Sequence, residues 1–92
     1  MLRLNCFFKA ESAENFKKAL DAAKVLTEKS QKHEGCVAYD VFASQTRADV
    51  FMICETWKDQ ESLDKHAQTP EFKECVEIIN SNGLMKLEKF DM

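Results

Sequence analysis

Residues 50–57, Val-Phe-Met-Ile-Cys-Glu-Thr-Trp, constrain the fold more than any other stretch of the chain. Their alternation is that of a β-strand, with Phe51, Ile53, Glu55 and Trp57 on one side and Val50, Met52 and Cys54 on the other. Both sides are apolar. An antiparallel sheet in a small α+β protein normally covers one face with helices and turns the other to water. A strand apolar on both sides needs a second cover, and symmetric self-association into a homodimer supplies it most simply.

The remaining elements follow from the same periodicities. Leu2 to Lys9 alternates, with Leu2, Leu4, Cys6 and Phe8 on one face and Arg3, Asn5 and Phe7 on the other. Ser12 is a good N-cap. From it an amphipathic helix runs through Phe16, Ala19, Leu20, Ala23, Leu26 and Ser30, and is expected to stop at Gly35. Lys32 and His33 then fall near its negative end, so His33 reads as a helix-terminus residue. Cys36 to Ser44 is a strand with Val37, Tyr39, Val41 and Ala43 on one face, and Ser44 to Asp49 is a polar turn. Asp59 caps a short helix that aims His66 inward beside Leu63 and Ala67. Thr69-Pro70, a cap followed by proline at the first helical position, restarts a helix with Phe72, Cys75, Val76 and Ile79 as its apolar stripe. Asn82-Gly83 ends it, and Leu84 to Phe90 is a fourth strand. This order predicts an α+β, ferredoxin-like βαββαβ domain spanning residues 1–92, with a four-stranded antiparallel sheet.

Several function classes are disfavoured. The net charge is −3, and the basic residues are interleaved with acids, which argues against nucleic acid as a partner. No apolar run approaches the ~20 residues of a membrane span, and the N-terminus lacks a leader pattern, so the expected compartment is the cytoplasm. The four cysteines, Cys6, Cys36, Cys54 and Cys75, are isolated from one another and read as reduced core thiols. With two glycines there is no phosphate-cradling or dinucleotide loop, and no cluster has metal-ligand spacing.

The chemistry concentrates between Glu55 and Phe72. Glu55 and Trp57 share a strand face, and His66 follows on the next helix. A carboxylate near an imidazole makes a general acid/base device, and the indole offers an aromatic wall with one N–H donor. Asn5 offers an amide that could reach a ligand or simply end a strand. The same residues also fit structural roles: Glu55 in a cap or ion pair, Trp57 as core, His66 as a satisfied buried histidine.

Glu55-x-Trp57, then His66, then Thr69-Pro70-x-Phe72-Lys73, with Gly35-Cys36-x-x-Tyr39 upstream, resembles the antibiotic biosynthesis monooxygenase family. The resemblance implies a dimeric α+β barrel. It also implies one of several activities: cofactor-independent oxygenation of quinols or polyphenols, haem degradation, or isomerisation of a phosphorylated sugar signal. Haem is disfavoured, because the haem-degrading branch has an iron-ligating His where this chain has Val76 and Trp where it has His66. The central stretch also resembles the isomerase acting on phosphorylated autoinducer-2, in which Glu55 and His66 would be the proton-shuttling pair. For the oxygenase, O₂ is co-substrate without metal or flavin, His66 is the base and Glu55 its partner. Trp57, Tyr39, Phe51 and Phe72 would then wall the substrate, and Asn5 would donate to an oxygen. A non-catalytic, small-molecule-binding dimer is the third class.

Overall fold

The computed structural model describes all 92 residues. The chain runs β1 (Leu2–Ala10), α1 (Ala13–Ser30), β2 (Cys36–Ala43), β3 (Val50–Trp57), α2 (Gln60–Ala67), α3 (Pro70–Ser81) and β4 (Gly83–Asp91). The strands form one antiparallel sheet in the order β2-β3-β1-β4, the ferredoxin-like arrangement. No helix is long and apolar enough to cross a membrane.

Register decides which side chains share a face. Opposite Cα partners Leu4–Glu55, Cys6–Ile53 and Phe8–Phe51 place those residues on the helix side, and Tyr39 joins them by pairing with Glu55. Phe8 stacks on Phe51 at a centroid distance of 4.7 Å, and Phe16 meets Phe51 edge-on. With Ala19, Ala23, Leu26 and Ile79 from the helices, these side chains form the buried core. The other face carries Phe7, Met52, Phe42 and Phe90, and of these Phe42 remains 53% exposed. These lie on the outer face among charged side chains such as Arg3, Asp40, Lys86 and Glu88, and helices cover only the other face.

Two local expectations change. Helix α1 ends at Ser30, five residues before Gly35, because residues 31–35 form a turn that Gly35 closes at φ 80°. A Cβ at Gly35 would lie 2.0 Å from Ser62 Oγ, so the turn packs directly on the first turn of α2. In β2 a bulge between Cys36 and Ala38 turns Val37 out to solvent, off the face it was expected to share with Tyr39. Leu87 pairs with Cys6 on the helix side but stays exposed, since β4 is an edge strand.

Candidate functional site

Strand β3 delivers Glu55 and Trp57 to the interior two residues apart, and α2 delivers His66 from above. Helix α2 starts where Asp59 accepts from the Ser62 backbone N–H at 2.8 Å. Helix α3 starts where Thr69 Oγ1 accepts from the Phe72 N–H at 3.3 Å, and the same hydroxyl donates to the His66 carbonyl at 2.8 Å. One threonine thus joins the end of α2 to the start of α3.

Glu55 is almost fully buried and has no cation beside it. Its Oε1 accepts from Trp57 Nε1 at 2.8 Å, and its Oε2 accepts from the Cys6 thiol at 3.6 Å. Burial raises its pKa above the ordinary carboxylate value, and the indole, the thiol and the nearby Tyr39 hydroxyl offset part of that rise. Burial, reinforced by the Glu55 charge, in turn pushes the Cys6 thiol and the Tyr39 phenol well up, so both stay protonated.

His66 is 1% exposed and sits in an aromatic cage. Its ring centroid lies 4.4 Å from Trp57, 5.0 Å from Phe72 and 5.6 Å from Tyr39. It makes no hydrogen bond to Glu55. Trp57 stands between them, touching the imidazole with its face and the carboxylate with its N–H, so the expected Glu55–His66 pair is a bridged pair. The hydrogen-bond partner of His66 is His33, Nδ1 to Nδ1 at 2.9 Å, and His33 Nε2 meets Glu71 Oε2 at 2.9 Å. His33 is therefore a member of the site, contrary to its reading as a helix-end residue. Burial first, and His33 second, lower the His66 pKa to about 4, so its imidazole is neutral at pH 7. The Nε2 of His66 is buried without a partner.

A cavity of about 320 Å³ lies between the sheet and helices α2 and α3. Leu4, Cys6, Ile53, Leu63, Phe72, Val76 and Ile79 line it, with Glu55 and Tyr39 among them and Gln60, Asp64 and the exposed Leu87 also contributing. Its lining contains no Lys, Arg or His. Val76 presents an aliphatic side chain to the cavity. A larger, open groove of about 870 Å³ runs between α1 and α3, with Ala22, Val25 and Ile78 along its floor and Lys18, Asp21, Glu74 and Glu77 at its edges, and it does not include Glu55. No group of three or more His, Cys, Asp or Glu side chains is placed to hold a metal ion.

Of the expected site residues, Glu55, Trp57, His66, Tyr39 and Phe72 come together. Phe51 does not line the cavity; its ring is held in the core between Phe8 and Phe16. Asn5 pairs with Cys54 and Glu88, which puts it on the opposite sheet face from Glu55 and outside this cavity, contrary to its expected place beside the acid/base pair. Sequence reasoning missed Glu71 altogether.

Residues 1–78 match the sequence profile of the family described as antibiotic biosynthesis monooxygenase. The chain belongs to this family. YcnE of Bacillus subtilis, which carries the provisional name of a monooxygenase, is 32% identical over 68 residues, covering 74% of this chain and 68% of YcnE. The uncharacterized Synechocystis protein sll1783 is 34% identical over 55 residues, 60% of this chain, and the matched stretch spans only 37% of sll1783. Among solved structures, a conserved protein of unknown function from Bacteroides thetaiotaomicron shares 52% identity and a TM-score of 0.95, covering 99% of this chain and 96% of that one.

Proposed function

We propose that this member of the antibiotic biosynthesis monooxygenase family is a homodimeric, cofactor-independent oxygenase of quinol- or polyphenol-like aromatics. The observation that carries the reading is the cavity lining: apolar and aromatic, of a size to hold a small ring system, with one buried carboxyl of raised pKa and no cation. A phosphorylated sugar would leave its charge unpaired against Glu55 and Asp64, so the lining argues against the isomerase.

A phenol lying against Phe72 and Tyr39 brings its hydroxyl to Glu55; His66 is not itself a lining residue, but its ring packs on both of those side chains, and its unpartnered Nε2 is the base the phenol would reach past them. A buried nitrogen without a partner costs about 1–3 kcal/mol, and a ligand hydroxyl would remove that cost. Loss of the phenolic proton to the imidazole gives a phenolate electron-rich enough to react with O₂ itself. A ring C–H carbon of the phenolate bonds to O₂, and the resulting peroxide anion takes the proton back from His66 to become a hydroperoxide; loss of that carbon's hydrogen to His66 as the O–O bond breaks then leaves a carbonyl. One oxygen atom stays in the product and one leaves as water, and the substrate supplies all four electrons. His66 passes that second proton to the departing hydroxide, which leaves as water, and Glu55 balances charge from the other side of Trp57. The exposed outer sheet face, with Phe7, Phe42 and Phe90, supports a second copy as its cover.

The test is oxygen uptake by metal-free protein supplied with a panel of hydroquinones and polyphenols, with His66→Ala and enzyme-free autoxidation as controls. Uptake above autoxidation that the variant loses supports the reading. Uptake no faster than the controls across the panel overturns it.

A further inference from the structure

We propose that Glu71 and His33 act as positioning residues that fix the tautomer of His66, leaving its buried Nε2 as a lone-pair nitrogen and connecting it to the surface by a chain of hydrogen bonds. This rests on the reading of His66 as the proton-accepting group. Neither residue is among those lining the cavity, nor is His66 itself; both act through His66.

The chemistry of each partner dictates the direction of the chain. A carboxylate only accepts, so at the 2.9 Å contact with Glu71 the proton sits on His33 Nε2. A neutral His33 then presents a lone pair at Nδ1. The second 2.9 Å contact, between the two Nδ1 atoms, therefore carries the proton of His66. The remaining nitrogen of His66, Nε2, is left unprotonated, and it is the atom that the structure buries without a partner. Two carboxylate-anchored histidines in series achieve what one Asp-His pair achieves elsewhere: the outer acceptor decides which inner nitrogen is basic.

Exposure grades along the chain. His66 is 1% exposed, the His33 side chain 15% and the Glu71 side chain 27%. A proton taken up at His66 Nε2 can leave by the same bonds: the Nδ1 proton of His66 moves to His33 Nδ1, and the Nε2 proton of His33 moves to Glu71. One proton enters, one arrives at the solvent-facing carboxylate, both imidazoles stay neutral with their tautomers exchanged, and the reverse hops reset the chain. Without the chain, an imidazolium would have to form inside an aromatic cage.

The test uses the substrate-free full chain labelled with ¹⁵N-histidine, with two-bond ¹H–¹⁵N correlations recorded at pH 8. In the wild type His66 should be protonated on Nδ1 and His33 on Nε2. Glu71→Gln keeps an acceptor for His33 and should retain both tautomers, whereas Glu71→Ala removes it and should shift His66 to a mixture. A wild-type His66 protonated on Nε2, a doubly protonated His33 at that pH, or an unchanged His66 in Glu71→Ala would each overturn the proposal. Because no substrate is involved, that result stands apart from whether quinols are oxidised.

Discussion

Glu55 and Glu71 are the same side chain at opposite ends of one cluster, and the fold treats them in opposite ways. Glu55 lies under the helices with an indole and a thiol as donors, and burial raises its pKa. Glu71, on the first turn of α3, is partly exposed and paired with His33, and that hydrogen bond lowers its pKa. Between them Trp57, His66 and His33 form a continuous path. The contrast teaches that the site treats two carboxyls differently: burial disfavours ionisation of the one beside the cavity, and the His33 hydrogen bond favours ionisation of the one at the rim.

The largest expected effect comes from abolishing the ionisation of Glu55. Glu55→Gln retains an oxygen to accept from Trp57 but cannot carry charge, and oxygen uptake with a responsive quinol should fall by about 100-fold or more. Its stability should move the other way. Because the folded-state pKa of Glu55 is raised, its contribution to stability is present below the ordinary carboxylate value of 4.5 and is lost as pH rises through the raised value. Thermal melts should therefore show Glu55→Gln gaining on the wild type with rising pH, and the two converging in acid. A variant that is less stable at every pH would show that Glu55 belongs to the core rather than to the cavity.

His66 gives the opposite slope. Tyr39 from β2, Trp57 from β3 and Phe72 from α3 face it, with His33 and then Glu71 as the titratable groups on its polar side. Its pKa is lowered from 6.5 to about 4, so its contribution to stability is complete above pH 6.5 and is lost as the pH falls toward 4. That loss is worth about 3 kcal/mol. Denaturant titrations across this window should show the decline in the wild type and a much shallower one in His66→Phe, which keeps the aromatic cage filled but cannot take a proton. Equal slopes would mean that His66 is not the titrating group.

Gly35 allows the Glu71 end to be disturbed alone. It closes the turn that carries His33, accepts from the Lys58 N–H at 2.8 Å and abuts Ser62. Gly35→Ala adds a Cβ at positive φ into space filled by Ser62 Cβ at 2.3 Å, and should cost about 2–3 kcal/mol in chemical denaturation. Wild-type stability in this variant would refute the close approach.

How far the sequence discloses this site depends on the range of the signal. Period-two and helical patterns identify every element, and local caps at Asp59 and Thr69 fix where α2 and α3 begin. They also put Glu55 and Trp57 on one shared strand face and aim His66 inward, because each of those placements depends only on neighbours along its own element. Relations across elements are another matter. His33 lies 38 residues from Glu71 and 33 from His66, in a turn whose path depends on Gly35 and the packing of Ser62, and no periodicity reports that meeting. That the chain's only two histidines touch becomes visible only in three dimensions. Asn5 failed for a reason of parity: alternation within β1 puts it opposite Leu4, but only the register, Leu4 with Glu55 and Asn5 with Cys54, tells which of the two faces carries the acid.

The smallest predicted effect tests whether α2 and α3 are held as a unit. Thr69 caps α3, which begins one residue before Glu71, and its hydroxyl also holds the His66 carbonyl. Thr69→Ala removes both bonds and should cost about 1 kcal/mol. Thr69→Ser keeps the hydroxyl and should restore most of it. If the cap only stabilises the helix, the alanine variant will melt earlier with unchanged histidine ¹⁵N shifts. If it also sets the distance between the two ends of the cluster, the shifts of His33 and His66 will move together while Trp57, fixed by its bond to Glu55, keeps its indole N–H resonance. Movement of the indole signal as well would show that the two carboxylates are not independently held, and the division between buried acid and rim carboxylate would give way to a single coupled network.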